Sequence, residues 1–60
     1  MADPTTYVRF RLRGMMRVLA LVIEWHDAWA LVEVVGSRER VRLDGAAWGE
    51  AKLTAQTDEN

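Results

Sequence analysis

Cysteine is absent from this 60-residue sequence. Its absence excludes disulfide staples and every zinc site built on thiolates. Histidine occurs once, at His26, so a metal site would also lack a second imidazole ligand, and no metal or other cofactor is expected. Proline occurs once, at Pro4, beside Asp3 in a turn-forming pair. A long hydrophobic run is missing too. The longest, Val18 to Ile23, falls far short of the ~20 apolar residues that cross a bilayer. Arg13 and Arg17 before that run, and Ala28-Trp29-Ala30 after it, have the outline of a secretion signal. The run is shorter than the ~7–15 residues such a signal needs, and Glu24, His26 and Asp27 interrupt the stretch after it. The expectation is a cytoplasmic protein with no membrane partner. Nor is there an excess of one charge: eight Lys and Arg against nine Asp and Glu leave a net charge of −1. Binding to a polyanion would therefore rest on where the charges sit.

Half of the residues are hydrophobic, enough for a core and too many for a disordered chain. The length fits one domain spanning 1–60, with an ordered core over about 6–54 and flexible ends at 1–5 and 55–60. A domain this short buries only about 60% of the surface its unfolded chain exposes. With disulfides and zinc fingers excluded, an efficient core or self-association has to compensate, so a homo-oligomer is expected.

The middle of the chain has a two-residue period. Val8, Phe10 and Leu12 alternate with Arg9, Arg11 and Arg13, and Gly14 ends the pattern. Arg17 to Trp25 and Trp29 to Val35 are rich in Val, Leu and Ile, and Glu39 to Leu43 is a shorter strand. His26-Asp27 and Gly36-Ser37 are the intervening turns. Two-residue turns there place Val32 opposite Val41, Glu33 opposite Arg40, Leu21 opposite Val32 and Ile23 opposite Ala30. One face then collects Leu19, Leu21, Ile23, Ala30, Val32, Val34, Val41 and Leu43 as a core. The other face, with Val18, Ala20, Val22, Glu24, Trp29, Leu31, Glu33, Val35, Arg38, Arg40 and Arg42, is too apolar to leave bare. The first strand, the Trp48 segment or a second subunit should cover it. Asp44 is placed to cap a helix carrying Ala47, Ala51 and Ala55 on one stripe, although Gly45 and Gly49 weaken it. The expected fold is mainly β: a small antiparallel meander closing into an SH3-like barrel or a strongly twisted sheet. A short helical turn is expected near 45–50, leading to a last strand near Lys52. The alternative is α+β with a C-terminal helix.

Residues able to carry chemistry are few. His26 and Asp27 could form a general base, but a hairpin tip offers no cleft to perturb them. Glu24, Glu33, Glu39 and Asp44 lie on strands or turns, and Glu33 opposite Arg40 reads more simply as a cross-strand ion pair. The glycines form neither a dinucleotide-binding nor a Walker-type loop. No enzyme is expected. Trp25 and Trp48 read as core fillers, while Trp29, on the mixed face with Leu31 and Val35, could anchor a protein partner.

Arginine is the uneven feature. Seven of the eight basic residues are Arg, clustered as Arg9, Arg11, Arg13 and Arg17 and as Arg38, Arg40 and Arg42. Alternation places Arg9, Arg11 and Arg13 on one side of the first strand with Tyr7. Arginine makes bidentate contacts to phosphate and stacks on bases, so these stripes suit DNA or RNA. The simpler reading is a charged edge that discourages aggregation. The leading expectation is a non-enzymatic nucleic-acid-binding accessory or regulatory protein using Tyr7, Arg9, Arg11, Arg13, Arg17, Arg38 and Arg42, with Arg40 held by Glu33. The rival is a protein–protein or oligomerisation module using Trp29, Leu31 and Val35. A tiny oligomeric enzyme with a site on a symmetry axis is the third class.

Overall fold

The computed structural model describes residues 5–58. The chain runs through β1 (Thr5–Leu12), β2 (Met16–Trp25), β3 (Trp29–Val34), β4 (Arg40–Asp44), α1 (Gly45–Lys52) and β5 (Gln56–Asp58). The strands form one antiparallel sheet in the order β4-β3-β2-β1-β5. The expected antiparallel meander is present. The sheet is open, with β4 and β5 as its two edges, and α1 carries the chain between those edges.

Each hairpin is shaped by its turn residues. Arg13 and Gly14 both take positive φ, at 52° and 73°, which is what a tight turn with the twist of a hairpin requires. Asp27 and Ala28 form the next loop, closed by the His26 amide donating to the Trp29 carbonyl (3.0 Å). Gly36, at φ 100°, opens the turn into β4. The β3–β4 register is the expected one, with Glu33 opposite Arg40, Val32 opposite Val41 and Ala30 opposite Leu43.

The β2–β3 register differs from the expectation. Its loop is centred one residue later, and Ile23 is an extra residue at a bulge, so Val22 opposes Val32, Leu21 opposes Glu33 and Trp25 opposes Ala30. One residue of slip exchanges the two faces of a strand. Leu19 and Leu21 are therefore excluded from the core, which takes Ala20 instead and packs against Val18 and Val22. The buried set is Val8, Phe10, Ala20, Ala30, Val32, Val34, Leu43, Trp48 and Ala51. The reason lies in the shifted loop and the bulge, which turn Ala20 and Val22 toward the face that α1 covers. The Trp48 indole of α1, 1% exposed, packs onto this face near the β2–β3 loop, where its N–H reaches the His26 carbonyl.

The helix itself departs in detail from the sequence reading. Its buried residues are Trp48 and Ala51, not an alanine stripe. Asp44 occupies the N-cap position, but its side chain makes no cap hydrogen bond and lies 3.9 Å from Arg42. Gly45, at φ 53°, turns the chain directly from strand into helix, a conformation that costs other residues a Cβ clash. The last strand lies at Gln56–Asp58 instead of near Lys52, and pairs with Thr5–Tyr7. The remainder of the ends expected to be flexible, at 1–4 and 59–60, lies outside the described residues. Trp25, expected in the core, is 49% exposed at the rim, its ring edge-on to Trp48 at 4.8 Å.

These placements fix a ranking of stabilities. Val32→Ala is expected to cost about 2 kcal/mol, the value of a buried aliphatic side chain partly removed. Leu21→Ala should fall well below the ~2–5 kcal/mol of a fully buried leucine. Urea denaturation of both variants checks this, and a larger loss for Leu21→Ala would restore the register expected from the turns.

Candidate nucleic-acid interface

Because α1 covers one face of the sheet, the opposite face is open among the described residues. Strand pairing assembles Tyr7, Arg9 and Arg11 of β1 on it with Arg17, Leu19, Leu21 and Glu24 of β2. Trp29, Leu31 and Glu33 of β3 and Arg40 and Arg42 of β4 complete it. The arginines of both clusters thus reach one surface together with Tyr7, Trp29 and Leu31.

The two halves of this face differ in charge balance. On β3 and β4, Arg40 lies 3.4 Å from Glu33 and Arg42 lies 3.9 Å from Asp44. On β1 and β2, Arg9, Arg11 and Arg17 are exposed and form no ion pair among the described residues. Arg11 stands directly opposite Arg17. The Arg9 amide points away from β2, donating to Thr54 Oγ1 (2.7 Å), so the odd-numbered residues of β1 form the non-hydrogen-bonded pairs with β2. Side chains are closest at such pairs, and like charges facing each other there are unfavourable. An anion between Arg11 and Arg17 would relieve that repulsion.

Two arginines leave the stripes that alternation gave them. Arg13 sits in the β1–β2 turn and bonds Glu39 at 2.8 Å. Arg38 sits in the β3–β4 turn at φ 62°, its amide donating to the Val34 carbonyl, and precedes β4. Both are at the same end of the sheet as Arg11 and Arg17, where Met15 and Met16 are also exposed. Trp29 is not a bare anchor. Its ring stacks with His26 at 4.1 Å and carries the Arg42 guanidinium 4.4 Å from its centroid. Leu31 is half-buried beside it, and Val35, 53% exposed, lies just past the end of β3.

Beside the free arginines an open groove of about 720 Å³ runs over the edge of β1 toward α1, lined by Arg9, Arg11, Arg17, Glu50, Leu53 and Thr54 among others. Sequence reading missed Glu50, Leu53 and Thr54. They lie about forty residues from β1 in sequence, and only the path of α1 brings them there. Among the described residues no group of His, Asp and Glu is placed to hold a metal ion, and no helix is long and apolar enough to cross a membrane. His26 Nε2 lies 3.2 Å from Glu24 Oε1, and both side chains are exposed. His26→Ala removes this contact and the stack on Trp29, so it should cost about 1 kcal/mol and leave binding by Arg9, Arg11 and Arg17 unchanged. Thermal unfolding and binding measurements on the variant check this, and lost binding in a folded variant would redirect attention to Asp27.

Comparison of the chain with known protein families, with curated proteins and with solved structures finds no match.

Proposed function

We propose that this protein is a non-enzymatic nucleic-acid-binding module that grips the phosphate backbone with Arg9, Arg11 and Arg17. The observation that carries the reading is the Arg11–Arg17 pair, two like charges held opposite each other on an uncovered face with Arg9 one pleat away. Guanidinium groups bind phosphate bidentately, and each neutralised phosphate releases condensed counterions. The net charge of −1 does not oppose this, because local basic patches and not the total govern such contacts. Tyr7, on the same face as Arg9, is available to stack on an unpaired base. Arg13, Arg38 and Arg42 add positive field at the margins, weakened at Arg13 and Arg42 by Glu39 and Asp44. The meander, the helix between β4 and β5 and the return of β5 to β1 support an SH3-like arrangement left open between its edges.

The experiment is a fluorescence anisotropy titration against labelled single-stranded and duplex oligonucleotides at low and at moderate salt. Binding at low salt that weakens steeply as salt rises is expected. A protein with no affinity for either at low salt leaves the rival reading, a protein-partner or self-association surface. That reading draws on the half-buried Trp29 and Leu31 and the exposed Leu19 and Val35.

A further inference from the structure

We infer that the groove along the β1 edge takes one strand of nucleic acid, so that the protein prefers single-stranded to duplex partners. The inference rests on the phosphate-binding reading above and adds to it the path of the bound chain. β5 pairs with β1 only from Thr5 to Tyr7. At Arg9 the place of a neighbouring strand is taken by a side chain: Thr54 Oγ1 accepts the Arg9 amide at 2.7 Å and donates to the Ala51 carbonyl at 2.7 Å. Beyond Arg9 the edge of β1 has no partner strand among the described residues. The Arg11 amide points the same way as that of Arg9, two residues earlier, and is directed into this space.

The groove that results has two unlike walls. Arg9, Arg11 and Arg17 form one, Ala47, Glu50 and Leu53 the other, and Phe10 and Ala51 lie beneath. Its volume, about 720 Å³, lies within the range of small-ligand clefts, about 300–1,000 Å³. A single sugar–phosphate chain fits between β1 and α1, with its phosphates on the arginines and its sugars or bases against Leu53, an apolar side chain left 87% exposed at the lip. A duplex is too broad to enter. It would lie across the open face and meet the arginines without reaching Glu50 or Leu53. Glu50 is the one carboxylate among the described residues that line the groove, so it opposes any anion lodged there. That opposition makes it a reporter of the path.

The test is anisotropy of the full chain with a labelled oligothymidylate and with a labelled duplex of the same length, at one low salt concentration. Two variants at exposed positions outside the core, Glu50→Gln and Leu53→Glu, are compared with the unaltered protein. Removing one unit charge at contact distance should tighten single-strand binding by Glu50→Gln on the order of fivefold. Leu53→Glu should weaken single-strand binding by a similar factor, with duplex binding unchanged in both variants and weaker than single-strand binding throughout. If both variants shift single-strand and duplex affinity alike, or neither shifts single-strand affinity, the groove is not the path, while the phosphate-binding reading stands. If the unaltered protein binds neither oligonucleotide, that reading fails and the inference falls with it. Circular dichroism of both variants confirms that the fold is intact.

Discussion

Trp48→Ala is expected to unfold the domain. Trp48 is the largest fully buried side chain among the described residues, and it belongs to the one core cluster with Ala30, Val32 and Leu43 of the sheet. Its indole N–H donates to the His26 carbonyl at 2.9 Å, tying α1 to the β2–β3 loop. Lys52 extends the same tie, donating to the Asp27 carbonyl at 3.0 Å. Removing a buried tryptophan costs about 3–5 kcal/mol, because the transfer energy is lost and a cavity remains. A single core in a chain this short rarely supplies more than about 3–5 kcal/mol. The two quantities are equal in size, so the variant has no stability left. Trp48→Phe separates packing from the hydrogen bond. It keeps most of the apolar volume, loses the bond to His26, and should remain folded with a loss of about 1–2 kcal/mol. Thermal melts followed by circular dichroism read both. A cooperative transition near the unaltered midpoint in Trp48→Ala would mean that α1 is not the lid of the core.

The second large effect concerns binding. Simultaneous replacement of Arg9, Arg11 and Arg17 by alanine is expected to weaken oligonucleotide binding by about a hundredfold at low salt, with the fold retained. All three side chains are exposed and form no ion pair among the described residues, so no buried or paired group is orphaned by the change. Removing the Arg11–Arg17 repulsion should even raise the thermal midpoint slightly. That combination, weaker binding with equal or greater stability, separates a binding role from a structural one. Arg40→Ala serves as the contrast. It leaves Glu33 without its partner at 3.4 Å and should change affinity far less.

How much of this was legible in the residues depends on the strand. Alternation of Arg with Val, Phe and Leu fixed the faces of β1, and Glu33 and Arg40 flanking Gly36-Ser37 fixed the β3–β4 pairing. The central strand β2 could not be read in the same way. From Val18 to Ile23 both of its faces are apolar, so hydrophobicity carries no parity there, and the one-residue shift of the loop and the bulge at Ile23 are invisible to it. The burial of Ala20 in preference to Leu19 and Leu21 follows from that shift, which pairs Ala20 with Val34 on the face that α1 covers. The candidate site was half legible for the same reason. The two arginine clusters were plain, and pairing gathers Arg9, Arg11, Arg17, Arg40 and Arg42 on one face. Positive-φ turns remove Arg13 and Arg38 from it. Stacking by His26 and Arg42 occupies a tryptophan that looked like an anchor. The groove wall of Glu50 and Leu53 depends on where a helix ends, which no short-range pattern encodes.

The most direct measurement is the dependence of affinity on salt, for the unaltered protein and for the Arg9, Arg11 and Arg17 triple-alanine variant. The logarithm of the binding constant is plotted against the logarithm of salt concentration, and the slope counts the phosphates neutralised, at about 0.7–0.9 per contact. Phosphate binding by these arginines predicts a steep slope for the unaltered protein and one flatter by about 2–3 units for the variant, roughly one unit for each arginine removed. Equal slopes for the two proteins, or no measurable affinity at low salt, would contradict it.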